Sequence, residues 1–195
     1  MTDTELIHEF IDNSLKTLEE LDLMKRPHPN MPKEMINETR TTDNDWIPWK
    51  AIPSKATDSD IKEIEERIGL SLPQSYIEFL KYKHFYSLDT PKEINFYQHC
   101  VRDWKKHLFD TYFHSWEPDE IIKKGFIPFG DYSDWGILCF DTNKQSEKNN
   151  EYEIIYIDHE LLYEDNVPKK RLYPSFIDMI KDLRKEQDNL NQFNE

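Results

Sequence analysis

Ala56 to Leu80, ATDSDIKEIEERIGLSLPQSYIEFL, reads as two helices joined by a tight link, and the rest of the chain is built out from it. Thr57 is placed to cap the first helix. Asp60, three residues on, is placed to return the bond, so a hydroxyl and a carboxylate each satisfy a backbone N–H that the helix itself leaves unpaired. Ile61, Ile64 and Ile68 fall on one helical stripe, and Lys62, Glu63, Glu65, Glu66 and Arg67 hold the solvated side. Gly69 stands where a helix end favours a left-handed residue, and Pro73 where a new helix tolerates a residue without an N–H. The second helix then offers Tyr76, Phe79 and Leu80 as its buried stripe, expected to pack against the isoleucines of the first.

Outward from this stretch the pattern predicts helices, then strands, then a closing helix. Asp3 to Met24 has helical spacing of Leu6, Ile7, Phe10, Ile11, Leu18 and Leu21, an amphipathic face that docks on the rest, on a partner or on a second copy in a homodimer. Residues 26–45 carry Pro27, Pro29 and Pro32 and read as a linker or wrap. Trp46 and Trp49 are expected to be buried against the first domain helix. Glu93 to Gln98 suits a strand, Val101 to Leu108 a helix, and Pro118 to Gly125 another short helix. Phe126 to Phe129 carries Pro128 and is placed at a sheet edge or strand end. Gly136 to Phe140 and Glu153 to Ile157 are apolar runs of central-strand length, and Thr142 to Glu151 is the exposed loop between them. Phe176, Ile177, Ile180 and Leu183 form the inner stripe of the last helix, followed by a polar tail at residues 188–195. Such an order argues for an α+β domain with a largely antiparallel sheet.

The motif A-T-x-x-x-I-x-x-x-E-x-x-x-G-x-x-L-P-x-x-Y-x-x-F-L is met by Ala56, Thr57, Ile61, Glu65, Gly69, Leu72, Pro73, Tyr76, Phe79 and Leu80. Upstream stand Trp46 or Trp49 and Pro53. Downstream, Ile127-Pro128-Phe129-Gly130, Gly136, the run Ile137 to Asp141, Asp158-His159-Glu160, and Ser175, Phe176 and Ile180 follow in order. This series resembles the SUKH superfamily, the Smi/Knr type of domain, over Trp46 to Leu183. The chain departs from many relatives after Leu80, where Lys81-Tyr82-Lys83-His84-Phe85-Tyr86 replaces an Asn-Gly-Gly turn. The resemblance implies a SUKH-like domain over residues 46–187, with residues 1–45 as an N-terminal extension.

Composition bounds the partners. There are 39 acidic against 25 basic residues, a net charge of -14, and residues 126–195 alone carry 15 acids against 8 bases. Nucleic acid is a poor ligand for such a surface, because affinity for phosphates is built on Lys and Arg; a cationic protein is a natural one. No run approaches the ~20 apolar residues that span a bilayer, and the N-terminus lacks a secretory pattern, so a cytoplasmic protein is expected. Cys100 and Cys139 form neither a metal pair nor a disulfide framework.

Catalytic chemistry has little to stand on. There is no phosphate-binding glycine loop, no H-E-x-x-H and no G-x-S-x-G. His99, Asp103 and His107 make a conceivable metal cluster, and Asp158-His159-Glu160 a conceivable acid-base group; a surface pair and a capped strand end are the simpler accounts of each. The aromatic series from His84 to Trp116 reads as core or protein-interface packing.

The resemblance implies a non-enzymatic immunity protein, without cofactor, that neutralises a cognate toxin, often a nuclease; the alternative is a regulatory or scaffold role such as fungal relatives play in cell-wall synthesis. An acidic protein suits a basic nuclease cleft. The residues expected to meet the partner are Asp131, Tyr132, Asp134 and Trp135 after the Ile-Pro-Phe-Gly strand, Glu147, Glu151 and Glu153 near the polar loop, and Asp158, Glu160, Glu164 and Asp165 after the last strand. Tyr132 and Trp135 serve as anchors and the acids as the steering field.

Overall fold

A computed structural model describes residues 1–27, 30–40, 45–145 and 151–193. In chain order the elements are α1 (Asp3–Glu20), β1 (Lys25–Arg26), β2 (Ile47–Pro48), β3 (Ile52–Pro53), α2 (Asp58–Ile68), α3 (Gln74–Tyr82), β4 (Lys83–His84), β5 (Ile94–Phe96), α4 (Trp104–Asp110), β6 (Phe126–Tyr132), β7 (Gly136–Gln145), β8 (Tyr152–Asp158), β9 (Lys169–Tyr173) and α5 (Phe176–Phe193). The last five strands form one antiparallel sheet in the order β5-β6-β7-β8-β9, and two small ladders pair β1 with β2 and β3 with β4. The architecture is α+β, as expected. Among the described residues no helix is long and apolar enough to cross a membrane.

The central helix pair forms as its sequence dictates. Thr57 Oγ1 accepts from the Asp60 N–H at 3.2 Å and Asp60 Oδ2 accepts from the Thr57 N–H at 2.9 Å, closing the capping box, while Gly69 ends α2 at φ 70°. Ile61, Ile64 and Ile68 are buried. The rings of α3 find their partners elsewhere: Tyr76 lies 5.2 Å from Phe140 and Phe79 5.5 Å from Phe176, centroid to centroid, so α3 spends its aromatic stripe on β7 and α5. Each such ring contributes about 1.5–3 kcal/mol by leaving water.

α1 joins this same core. Ile7, Phe10, Ile11, Leu15 and Leu18 are buried, and the helix packs on α5 and α3. It stops at Glu20, short of Met24, because Asp22 turns left-handed (φ 55°) and the Leu23 N–H reaches back to the Leu18 carbonyl at 2.9 Å, a six-to-one helix-ending bond. The two indoles part company: Trp49 is buried edge-on to Tyr86, and Trp46 is half exposed.

Several sequence expectations are corrected. β6 is an inner strand of seven residues, yet β5 covers only Gly130 to Tyr132, so Pro128 lies beyond β5 and beside a register shift against β7. A residue with no N–H is tolerated there because no β5 carbonyl waits for it. β7 continues to Gln145, shortening the expected loop, and Glu151 is buried where an exposed loop end was expected. Pro118 to Gly125 forms turns in place of a helix, closing on a left-handed Gly125 (φ 82°) with Ile121 and Ile122 buried. α5 runs on to Phe193, through most of the expected tail. α4 widens into a π-helical turn, Thr111–Ser115, which packs against β6. Cys139, on the opposite face from Phe140, lies near the buried Tyr97 and Tyr112 that the aromatic segment supplies.

Candidate partner-binding face

The β6–β7 turn is built around Gly136. A Cβ at that position would lie 1.9 Å from the Tyr156 ring, so only glycine lets β7 start this close to β8. Tyr156 in turn meets Tyr132 edge-on at 5.6 Å. Tyr132 pairs with Gly136, leaving Ser133, Asp134 and Trp135 as the loop. Ser133 takes the left-handed conformation (φ 55°) and its N–H donates to the Glu93 carbonyl at 2.9 Å, tying the turn to the segment before β5.

The loop presents an indole to solvent. Trp135 is 57% exposed and stacks on His159, centroids 5.8 Å apart and planes 14° from parallel. The Trp135 carbonyl accepts the His159 backbone N–H at 3.1 Å and the Nδ1–H at 2.9 Å, which fixes the imidazole; Trp116 stands 6.2 Å from the same ring. Asp158 Oδ1 accepts from the Glu160 N–H at 3.0 Å, capping the short 3-10 turn His159–Leu161. A groove of about 360 Å³ opens here, lined by Asn95, Trp116, Asp131, Ser133, Asp134 and His159, with Gly136 and Ile137 beneath. Asp131 is half buried, and desolvation pushes its carboxyl above the ordinary carboxylate range.

The expected site residues divide into two groups. Asp131, Tyr132, Asp134 and Trp135 are brought together with Asp158, Glu160, Glu164 and Asp165 at one end of the sheet, where Tyr163 adds a second exposed ring. None of these six acids forms an ion pair with another described residue. The acids near the polar loop are otherwise placed. Glu147 lies outside the described residues. Glu153 is engaged with Arg171 Nε at 3.2 Å and Lys144 Nζ at 3.6 Å. Glu151 is buried and accepts from the Ser75 backbone N–H at 3.0 Å and hydroxyl at 2.8 Å, with the Phe176 N–H a further donor, so it holds the starts of α3 and α5 and has no surface to offer.

Trp116, His159 and Tyr163 are the members of this face that sequence reasoning did not choose. Trp116 offered one signal, since it stands among the polar His114, Ser115 and Glu117. Among the described residues no three or more His, Cys, Asp or Glu side chains are grouped so as to hold a metal ion. His99 turns inward, its Nδ1 3.2 Å from that of His84, while His107 lies against Gln98. Both cysteines are free and buried, which raises their thiols and removes them from nucleophilic use.

In comparisons with known proteins, no curated protein matches the chain. A family model does match, that of the SMI1 / KNR4 family (SUKH-1), over residues 55–182, about two thirds of the chain, from just before α2 into α5. The chain therefore belongs to the SMI1 / KNR4 family (SUKH-1).

Proposed function

We propose that this protein is a cytoplasmic immunity protein that binds a cognate bacterial toxin, of basic nuclease type, and neutralises it by covering its active cleft. It acts by occupancy, without turnover. The observation that carries this reading is the face just described: in a SUKH-1 family member of net charge -14, the exposed rings of Trp135 and Tyr163 stand at the same end of the sheet as six carboxylates that form no ion pair with a described residue. Rings supply the anchors of such an interface, and uncompensated acids draw a cationic partner in and fix its orientation. A regulatory or scaffold role could use the N-terminal helix and the proline-containing wrap for assembly. Burial of the α1 apolar face against α3 and α5 leaves that helix face committed within the chain.

The test is affinity capture by the tagged full chain from its source lysate at low and high salt, followed by purification of the captured protein. The reading expects one basic partner with a toxin or nuclease domain, retained at near one-to-one stoichiometry and inhibited when the immunity protein is added back. Capture of several wall-synthesis or signalling proteins, or a nuclease left fully active in the complex, would overturn it.

A further inference from the structure

We infer that the groove between Trp116, His159 and the β6–β7 turn receives one arginine side chain of the partner, the guanidinium meeting Asp131 and Asp134 and lying against the neighbouring rings. This rests on the partner-binding reading above and names the chemical group that this part of the face takes up.

The charge of the lining selects a cation. Two carboxylates line the groove and no Lys or Arg does, so a phosphate or carboxylate ligand is repelled. Asp131 is the more informative of the two. It has lost part of its hydration to burial, yet it has neither an ion pair nor a hydrogen-bond donor among the described residues. Arg26 lines a second recess that Asp131 also lines, but its guanidinium is given to Gln98 Oε1 at 3.2 Å and to the Tyr86 ring at 4.6 Å, with no ion pair to Asp131. A partly desolvated carboxylate left uncompensated in the free protein regains its partner when a cation enters.

The shape and the remaining polar atoms favour guanidinium over ammonium. Trp116 and His159 offer flat faces, on which a planar guanidinium stacks while its N–H groups point outward in the plane. The Asn95 and Ser133 side-chain oxygens add acceptors to those of Asp131 and Asp134, matching a group with five donors. The walls are set before the partner arrives, because the His159 ring is bonded through Nδ1 to the Trp135 carbonyl and stacked on the Trp135 indole. A site held ready in this way loses little freedom on binding.

The first measurement titrates the ¹⁵N-labelled full chain with N-acetyl-arginine amide, and in parallel with the neutral isostere N-acetyl-citrulline amide. Saturable shifts of the Trp116 indole N–H and of the 131–136 amides are expected with the arginine compound alone. D131N and D134N, each checked for an unchanged fold by circular dichroism, should weaken that binding by about tenfold or more, the loss expected for a charge-assisted contact. Equal responses to arginine and citrulline, shifts confined to other regions, or unchanged binding by D134N would overturn the inference. The captured toxin separates the two claims: if it binds wild type and the D131N/D134N double variant equally well, the arginine groove fails while the immunity reading stands. If the groove takes arginine but no toxin is captured, the reverse holds.

Discussion

The Glu151 carboxylate accepts the backbone N–H and the hydroxyl of Ser75 at 3.0 and 2.8 Å across 76 residues of sequence, and with the Phe176 N–H it ties the first turn of α3 to the first turn of α5. Helix starts leave N–H groups unpaired and carry positive partial charge, so one buried carboxylate serves two of them. Glu151→Ala leaves those donors buried and unpaired and is expected to cost about 2–4 kcal/mol, as for other charge-assisted buried bonds. Glu151→Gln keeps one acceptor oxygen and should cost less. Urea unfolding of both variants checks the order; equal stability of Glu151→Ala and wild type would refute the bridging role.

The buried His84 and His99 predict a pH dependence. The Lys55 N–H donates to His84 Nε2 at 2.9 Å, so His84 carries its proton on Nδ1, which points to the His99 carbonyl at 3.0 Å; His99 Nδ1 points to the Lys83 carbonyl at 3.0 Å. Burial holds His99 down at about 3 and lowers His84 as well. Both are therefore neutral in the fold, whereas in the unfolded chain they take protons as pH falls through about 6.5. This stability is fully present above that value and falls as pH drops: His99 contributes a slope approaching about 1.4 kcal/mol per pH unit down toward 3, and His84 adds a contribution of the same sign. Unfolding free energies from pH 7.5 to 5 should show this decline, ahead of carboxylate protonation. His99→Phe is expected to be less stable at pH 7 and to have the shallower slope.

Gly136 and Tyr156 form a steric pair. Gly136→Ala forces the Tyr156 ring aside and should cost about 1–3 kcal/mol, the range for overpacked sites. In a Tyr156→Ala background the same substitution should cost less, part of the cost remaining because the added Cβ would still lie 2.9 Å from the Tyr132 carbonyl oxygen. An additive double-mutant cycle would show that the contact does not carry the effect.

Charge reversal of Asp134, Glu160, Glu164 and Asp165 to Lys should slow association with a basic toxin by about tenfold or more at low salt, the difference shrinking as salt rises. Trp135→Ala is expected to act on dissociation, weakening the complex by about 2 kcal/mol as an exposed aromatic anchor does. Stopped-flow association and surface dissociation measurements separate the two effects. An off-rate unchanged by Trp135→Ala would remove that residue from the interface.

What the sequence determined by itself was local. Thr57 with Asp60, Gly69 and Pro73 define the ends of α2 and α3 through bonds that reach three or four residues, and helical spacing marked the buried isoleucines and the rings of α3 and α1. Strand runs and the acidic excess were equally readable, and so was the turn between β6 and β7. The tertiary structure decided what depends on distant segments meeting. Glu151 and Trp116 show why. Both stand among polar neighbours in the chain, yet folding buries the carboxylate between two helix starts and sets the indole beside His159, 43 positions later. A side chain's solvent exposure depends on what packs over it, and no pattern of neighbours within one helical turn or one strand encodes that. Pro128 makes the same point within the sheet: its missing N–H pointed to an edge, and the short reach of β5 supplies one inside an inner strand.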